Sequence, residues 1–391
     1  MSNERWAVLS LLVAVRTSMG FQFQSVAAVS PLMTADLGIS YAELGILIGA
    51  YLLPGLVVAL PGGWLAARLG DRRIVLAGLA LMAFGGFITG LAGSFGLALV
   101  GRLVAGTGAV LLNVVLAKMV TDWFAEGQLV TAMGCLLGAW PLGIALALVL
   151  LGGLAEATSW QFVMHVAAAL CAAAWLAMRL FYRSAPGEAA MAGTVRRTGL
   201  ETAELWPVIA AGLLWATYNA AFIIILGFAP EYFAGRGYDV AVAGALTSVV
   251  GWTIIPSLPL GGYLAERIGM PAVTMAGCFV VLAAAMAALP AATAPLGLLI
   301  LIGVVFGPPG GLIMALPGQV LAPAHRALGM GVYFTCYYAG MAALPPLAGL
   351  SWDLSGSPTA PFVVAGLLML MSLLALGAFH LLRRDPAPHP G

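Results

Sequence analysis

The chain has 391 residues, a net charge of +1, an apolar fraction of 62% and a charged fraction of only 8%. Soluble domains carry roughly 25% charged and roughly 45 to 50% apolar residues, so a soluble fold of this size would be unable to bury this much apolar surface. The near-zero net charge argues against nucleic acid or an acidic macromolecule as a partner. A helix needs about 20 apolar residues to cross a bilayer, which leaves room for about a dozen crossings.

Charges, Gly/Pro clusters and polar turns divide the sequence into twelve apolar stretches. The first is interrupted by Arg16, which favours a spanning helix over a secretory signal. The predicted spans are 7–33, 42–66, 74–93, 97–121, 129–154, 160–182, 206–232, 241–265, 271–290, 295–320, 327–350 and 360–382. The expected fold is therefore an all-α membrane protein with twelve transmembrane helices in two six-helix bundles. The predicted domains are an N-terminal bundle at 1–183, a linker at 184–204 and a C-terminal bundle at 205–391.

An internal repeat relates the two halves. The segment Gly62 to Arg73 reads GGWLAARLGDRR, and the segment Gly261 to Pro271 reads GGYLAERIGMP, 199 residues later. An ungapped shift of 199 over residues 31–70 gives twelve identities in forty positions, concentrated on Gly, Pro and Arg. This pattern predicts two pseudo-two-fold related copies of one membrane unit.

The distribution of cations predicts the orientation. Twelve of the 16 Lys and Arg residues fall in loops on the side of the N-terminus, and only Arg236 falls in a loop on the opposite side. Since cytoplasmic loops carry the excess of Lys and Arg, both termini and the linker are expected in the cytoplasm. The protein is thus predicted to be a multi-pass protein of the inner membrane. The remaining three cations, Arg16, Arg102 and Lys118, fall inside predicted spans.

The motifs resemble those of the major facilitator superfamily of transporters. A Gly-rich segment closes the second span, a weaker copy closes the eighth, and RLVAGTGA in the fourth span, which contains Arg102 and Gly106, fits the family's R-x-x-x-G-x-G-A pattern. GCLLGAWPLG in the fifth span loosely resembles its Gly/Pro motif. The resemblance implies a substrate site near the midplane between two bundles, and alternating access by a rocker-switch movement.

The resemblance also implies a gating role for the Gly-rich segments. Ala67 stands where the family usually has an acidic residue and Asp71 where a cation is usual, while the second copy keeps Glu266. In the family this acidic residue helps to hold the cytoplasmic side closed against a neighbouring helix end. In the first half of this chain that contact is therefore expected to be weaker, or to be made by Asp71 instead. The alternative is a tight cytoplasmic turn without a gating role. The predicted gating or motif residues are Gly63, Arg68, Gly70, Asp71, Arg72, Arg102, Gly106, Gly262, Glu266 and Arg267.

Arg16 is the principal candidate for substrate binding. A charge at bilayer depth costs at least about 2.5 to 3.5 kcal/mol, so this side chain must face protein or water. It lies roughly 13 Å into the first span, and the resemblance places the first helix along the cavity. Guanidinium offers a planar fork of donors that suits a carboxylate. The alternative is that Arg16 pairs with backbone carbonyls or extends to the cytoplasmic surface.

Other side chains near mid-depth could complete such a site. An aromatic cavity with one cation suits a small organic anion, although any one aromatic residue could instead pack or face lipid. The predicted substrate-binding residues, besides Arg16, are Gln22, Gln24, Tyr51, Asn113, Trp140, Tyr218, Asn219, Trp252, Tyr333 and Tyr337, and Tyr338 lies at the same depth. Arg102 lies near the outer end of its span, with a structural or coupling role implied by the resemblance. Lys118 lies near the cytoplasmic end, where it could line the substrate's route.

No Asp or Glu falls near the middle of a predicted span. Proton-driven carriers commonly use intramembrane carboxylates or histidines. We therefore expect either co-import of the anion with a proton, or exchange for a counter-anion.

The predicted function is secondary transport of a small anion, either a monocarboxylate or a cyanate-like ion, by a monomer. The alternatives are a multidrug or metabolite efflux carrier with an apolar aromatic cavity, and a non-transporting membrane scaffold or sensor. The four cysteines and four histidines are scattered, so neither a metal nor a cofactor is expected. No catalytic or phosphate-binding motif is visible, so the protein is not expected to be an enzyme.

Overall fold

The structure is a computed structural model that describes residues 2–124, 128–183, 200, 202–322 and 325–383. Within these ranges the chain forms α-helices joined by short turns, and none of these residues lies in a β-strand. The helices are α1 Ser2–Ala28, α2 Ser30–Leu37, α3 Tyr41–Ala50, α4 Gly55–Leu69, α5 Asp71–Gly90, α6 Phe95–Trp123, α7 Leu129–Ala157, α8 Trp160–Phe181, α9 Thr202–Gly235, α10 Val240–Ile268, α11 Pro271–Ala288, α12 Leu296–Ala315, α13 Arg326–Ser355 and α14 Ala360–Leu382.

The first two predicted spans each consist of two helices in the structure. Val29 leaves helical geometry at φ −116° and ψ 14°, and α2 begins beside Pro31 at its first turn. Residues 51–54 form a turn between α3 and α4 that ends at Pro54. Proline has no N–H for the helical ladder and clashes with the preceding turn, which explains an interruption at this position.

Eleven segments within the described ranges are long and apolar enough to cross a membrane. They correspond to the predicted spans except the eleventh. The helix α13, at 30 residues, is also long enough to cross. The all-α membrane fold is therefore confirmed, and eleven of the twelve predicted spans are found as apolar membrane segments within the described ranges.

The sequence repeat is also a backbone repeat. Gly38 and Gly237 have φ of 60° and 90°, and Gly70 and Gly269 have φ of 88° and 69°. Both pairs are separated by the same 199 residues as the sequence repeat. Only glycine adopts positive φ without steric cost, so the repeated glycines fix two repeated turns at the ends of membrane helices.

The helix ends define two faces of the molecule. We call the face that carries both described chain ends the terminal face, where Arg183 pairs with Glu4 at 3.2 Å and Arg383 donates to Gln319 at 3.1 Å. The opposite, distal face carries α2, the first residues of α3 and the last residues of α13. The two halves pack together along two helix pairs, α3 with α13 and α7 with α10.

Small residues let these helices approach closely. A Cβ atom on Gly45 of α3 would overlap the carbonyl of Pro345 in α13, and one on Gly244 of α10 would overlap the carbonyl of Leu148 in α7. Membrane helices commonly associate through such small residues, because lipid supplies no hydrophobic drive for helix contact.

Candidate functional site

Arg16 lies near the middle of α1 and starts a chain of polar contacts across three helices. Its Nη1 donates to Oδ1 of Asn113 in α6 at 3.0 Å. Nδ2 of Asn113 in turn donates to the hydroxyl oxygen of Tyr338 in α13 at 3.3 Å. An amide can accept from one neighbour and donate to the next, so Asn113 suits the central position. The chain joins two helices of the N-terminal half to one of the C-terminal half.

Local packing fixes the far end of this chain. The ring of Tyr338 lies against Gly55 at the start of α4, where a Cβ atom would overlap the ring. Tyr338 is 2% exposed, whereas Arg16 and Asn113 are half-buried. The Nε atom of Arg16 is buried and has no hydrogen-bond partner among the described residues. The guanidinium therefore retains an unused donor at mid-depth.

Aromatic rings from α9 and α13 continue from the polar chain. The ring centroids of Tyr337 and Tyr338 are 5.0 Å apart, those of Trp215 and Tyr337 are 6.2 Å apart, and those of Trp215 and Tyr218 are 5.8 Å apart. Tyr337 and Trp215 are half-buried, so part of each ring is open to contact. Such rings provide an apolar surface beside a cation, which suits an organic anion with a short apolar body.

Arg16, Asn113 and Tyr337 are the sequence-predicted residues that lie close to one another. Trp140 is half-buried against Phe23, with centroids 5.2 Å apart, and Trp252 is 41% exposed on α10. These two side chains belong to different surroundings from the chain that starts at Arg16.

The other predicted residues of α9 and α13 make contacts within the C-terminal half. Tyr218 is buried, donates to the carbonyl of Phe306 and stacks on its ring at 4.1 Å. Asn219 is half-buried and donates to the Trp215 carbonyl of its own helix at 2.8 Å. Tyr333 is buried, and its hydroxyl points to the sulfur of Met314 at 3.6 Å.

A second, fully buried polar cluster surrounds Arg102. Its three guanidinium nitrogens donate to the carbonyls of Leu47 at 2.9 Å, Gln22 at 3.1 Å and Phe23 at 3.0 Å. The guanidinium also lies 4.5 Å from the ring centroid of Tyr51, a cation–π distance. These hydrogen bonds join α6 to α1 and α3.

The remaining polar residues of α1 and α3 are also satisfied by protein groups. Gln22 donates to the Met82 carbonyl at 2.8 Å and accepts from the Tyr51 hydroxyl at 3.3 Å. Gln24 donates to the Leu226 carbonyl in α9 at 2.8 Å, which links the two halves. In this conformation these amides serve helix packing, and Arg16 differs from them in retaining a free buried donor.

The first Gly-rich segment contains an ion pair at the terminal face. Asp71, in the first turn of α5, is buried and lies 2.5 Å from Nζ of Lys118 in α6, which also lies 3.0 Å from Asp122. Arg72 donates to the Arg179 carbonyl at the end of α8 at 2.7 Å. These contacts lie within the N-terminal half.

The other motif residues have simpler surroundings. Gly106 packs so closely on the Tyr51 carbonyl that a Cβ atom would overlap it. Arg68 is exposed, a Cβ atom on Gly262 would have no neighbour within 4 Å, and Arg267 lies 5.1 Å from the ring centroid of Tyr263. The surroundings of Gly63 and Glu266 lie outside the described side chains.

Two further observations complete the site. Trp215 was not predicted from the sequence, but it lies three and four residues before Tyr218 and Asn219, on the same face of α9. That spacing was the signal available in the sequence.

Within the described ranges, no cluster of three or more His, Cys, Asp or Glu residues could hold a metal ion.

Comparison with known proteins places this architecture in a family. The family model of the Major Facilitator Superfamily matches residues 11–345 and 212–391. The chain is 21% identical over 261 residues to the probable sulfoacetate transporter SauU of Cupriavidus necator, a match that covers 62% of this chain and 61% of that protein. It is 36% identical over 143 residues to the cephamycin export protein CmcT of Amycolatopsis lactamdurans, covering 35% of this chain and 28% of that protein.

The fold has a counterpart among solved structures. A bacterial homolog of the human lysosomal transporter Spinster, in an inward-facing and occupied conformation, superposes with a TM-score of 0.76 at 15% identity. The superposition covers 98% of this chain and 99% of the other, and at this identity it shows the fold alone. Together with the family model, which covers most of the sequence, it shows that the chain belongs to the Major Facilitator Superfamily.

Proposed function

We propose that the protein is a secondary transporter of a small organic anion, and that Arg16 binds the anionic group. The observation that carries this proposal is the half-buried guanidinium at mid-depth whose Nε has no hydrogen-bond partner among the described residues. A permanent charge is costly in a membrane and is usually retained for a function. The contrast with Arg102, whose three guanidinium nitrogens each donate to a carbonyl, supports assigning the substrate to Arg16.

The surroundings favour a monoanion with a compact body. A single guanidinium can pair with one carboxylate through two parallel hydrogen bonds. The half-open rings of Trp215 and Tyr337 offer contact to the remainder of the molecule. A monocarboxylate meets both conditions, and a cyanate-like ion supplies the single negative charge. The relative SauU is named as a probable transporter of sulfoacetate, which is also an anion.

Alternating access would change the contact between the two halves at this site. Arg16 and Asn113 belong to the N-terminal half and Tyr338 to the C-terminal half, so separating the halves at mid-depth breaks the hydrogen bond from Asn113 to Tyr338. A bound anion would replace that contact by bridging Arg16 and the rings of α9 and α13. Because the described Arg16 cluster contains no carboxylate, we propose exchange, or co-import with a proton carried by the substrate, as the coupling mode.

Uptake into proteoliposomes tests the proposal. Wild-type protein should accumulate one of a panel of labelled anions that includes sulfoacetate, short monocarboxylates and cyanate. Arg16→Ala should reduce uptake at least about 100-fold, and Arg16→Lys should retain part of it because the charge remains while the fork is lost. Arg5→Ala, which removes a cation near the start of the same helix, is the matched control. Full uptake by Arg16→Ala would overturn the assignment.

Export of a larger metabolite is the second candidate. It is supported by the 36% identity to a cephamycin export protein over about a third of this chain and by the aromatic side chains of α9 and α13. In that case the rings would bind the cargo and Arg16 would be dispensable. Cells that express Arg16→Ala would then keep the resistance or export conferred by the wild type, whereas the anion proposal expects them to lose it.

A further inference from the structure

Two carboxylates on the distal face bind helix N-termini of the opposite half. Asp353, near the end of α13, accepts hydrogen bonds from the backbone N–H of Tyr41 at 3.0 Å and of Ala42 at 2.8 Å. These are the first two residues of α3, in the N-terminal half. The first N–H groups of a helix have no partner in the helix and carry partial positive charge, so they favour a carboxylate.

The N-terminus of α3 has its own local cap, and that cap leaves two donors for the other half. The Ser40 side chain accepts from the Glu43 N–H at 3.2 Å, and the Glu43 side chain accepts from the Ser40 N–H at 2.8 Å. The capping box therefore satisfies residues 40 and 43, while Asp353 takes the two N–H groups between them. The carboxylate of α13 completes the cap but is not required to form it.

The second contact runs in the opposite direction. Glu156, near the end of α7 in the N-terminal half, accepts from the N–H of Val240 at 2.7 Å. Val240 is the first residue of α10, in the C-terminal half. Tyr41 and Val240 are 199 residues apart, the offset of the internal repeat, and Glu156 and Asp353 are 197 residues apart. The two contacts are thus equivalent under the pseudo-symmetry of the fold.

We propose that Asp353 and Glu156 form a distal latch, a pair of reciprocal helix caps that holds the two halves together at the distal face. The proposal rests on the alternating-access mechanism of the proposed function. Each cap joins one half to the other, so any movement that separates the halves at this face breaks both caps. The stack of Tyr41 on Trp352, with centroids 3.8 Å apart, and the close approach of Gly349 to the Tyr41 carbonyl lie beside the first cap.

The exposure of the latch makes it reversible. Asp353 and Glu156 are both exposed, so water can replace the carboxylates when the halves separate. Removing the latch should therefore leave the helices folded and change only the balance between distal-closed and distal-open conformations. Exposed charge interactions are screened by salt, so high ionic strength should shift the same balance in the same direction.

The test measures the distance across the distal face without any substrate. Spin labels at Ser94 and Thr293, which are exposed in equivalent distal turns of the two halves, report this distance in a variant whose native cysteines are replaced. The double variant Asp353→Asn with Glu156→Gln should increase the long-distance population at least threefold over the labelled parent. Each single variant should give an intermediate increase in that population. Asp353→Glu, which keeps a carboxylate, should give the same distance distribution as the labelled parent.

The matched control is Asp239→Asn, which removes an exposed carboxylate beside Val240 on the same face. It should leave the distribution unchanged, since charge removal alone is not the proposed cause. An unchanged distribution in the double variant, or an equal shift in the control, would overturn the latch. If the double variant is recovered in low yield, the two single variants allow the same comparison with the control. Because no substrate is present, failure here is distinct from failure of anion uptake, which would contradict only the role of Arg16.

Discussion

The two arginines within the membrane helices differ in how their donors are used. Arg102 is buried and donates to three backbone carbonyls. Arg16 is half-buried, binds Asn113 and keeps a buried Nε that has no partner within the described part of the chain. An arginine that hydrogen-bonds to backbone carbonyls supports the fold. An arginine that keeps an unpaired buried donor at mid-depth is available to a ligand. The chemistry of the side chain is the same in both cases, and only its partners distinguish the roles.

Arg102→Ala should therefore lower the stability of the fold rather than act directly on substrate binding. A hydrogen bond to a charged group contributes roughly 1.5 to 3 kcal/mol, and three are lost, so we expect a loss of roughly 4.5 kcal/mol or more. Thermal unfolding of the purified variant in detergent would show this loss as a lower Tm. A variant with the Tm of the wild type and no substrate binding would contradict the structural role of Arg102.

Asn113→Leu should weaken substrate binding while leaving the fold intact. Asn113 orients the Arg16 guanidinium through a bond of 3.0 Å, so its loss should raise KM about tenfold, equivalent to about 1.4 kcal/mol. Thr107→Val is the matched control, because Thr107 lies on the same helix and bonds only to its own helix carbonyl at Leu103. Equal KM values in the two variants would show that Asn113 does not contribute to substrate binding.

The sequence identifies the candidate residues of the site but not their partners. Arg16 stands out because a charge in an apolar run is rare, and Asn113 and Tyr337 follow from depth along their helices. The saturation of Gln22, Gln24 and Tyr51 by carbonyls and amides of other helices depends on contacts between distant segments. Such contacts depend on helix rotation, which depth along a single span does not determine.

At the scale of the helices, glycines set how closely neighbours approach. Gly106→Ala in α6 should overlap the Tyr51 carbonyl, and overpacking of this kind typically costs about 1 to 3 kcal/mol. Gly134→Ala in α7 is the control, because a Cβ atom there has no neighbour within 4 Å. Thermal unfolding should show a lower Tm for the first variant and an unchanged or higher Tm for the second. The reverse order would contradict the packing described for α6.

The helices themselves were largely predictable, because apolar length and polar turns are visible in one sequence. Membrane spans are found in the predicted regions 7–33 and 42–66, and the structure divides each region into two helices, near Val29 and at residues 51–54. A proline within an apolar run can bend, break or start a helix, and the surrounding packing decides among these outcomes. The glycines of the repeat were more informative, since positive φ demands glycine at both copies.

At the scale of the whole molecule, the orientation in the membrane remains a prediction from cation distribution. It places the terminal face in the cytoplasm and the distal face outside. Single cysteines introduced by Ser355→Cys and Arg383→Cys, with the exposed Cys135 replaced by Ser, would test it. A membrane-impermeant thiol reagent applied to intact cells should label the first variant, and the second only after permeabilisation. Labelling of the second variant alone in intact cells would reverse the orientation.

The most direct test of the central claim is anion-dependent thermal stabilisation of the purified protein, compared between the wild type and Arg16→Ala. A ligand at 100 times its Kd stabilises the folded state by about 2.7 kcal/mol, which gives a measurable increase in Tm. We expect at least one small anion in a panel of carboxylates, sulfoacetate and cyanate to raise the Tm of the wild type and to leave that of Arg16→Ala unchanged. An equal increase in both proteins, or no increase in the wild type with any anion, would contradict the binding of an anion by Arg16.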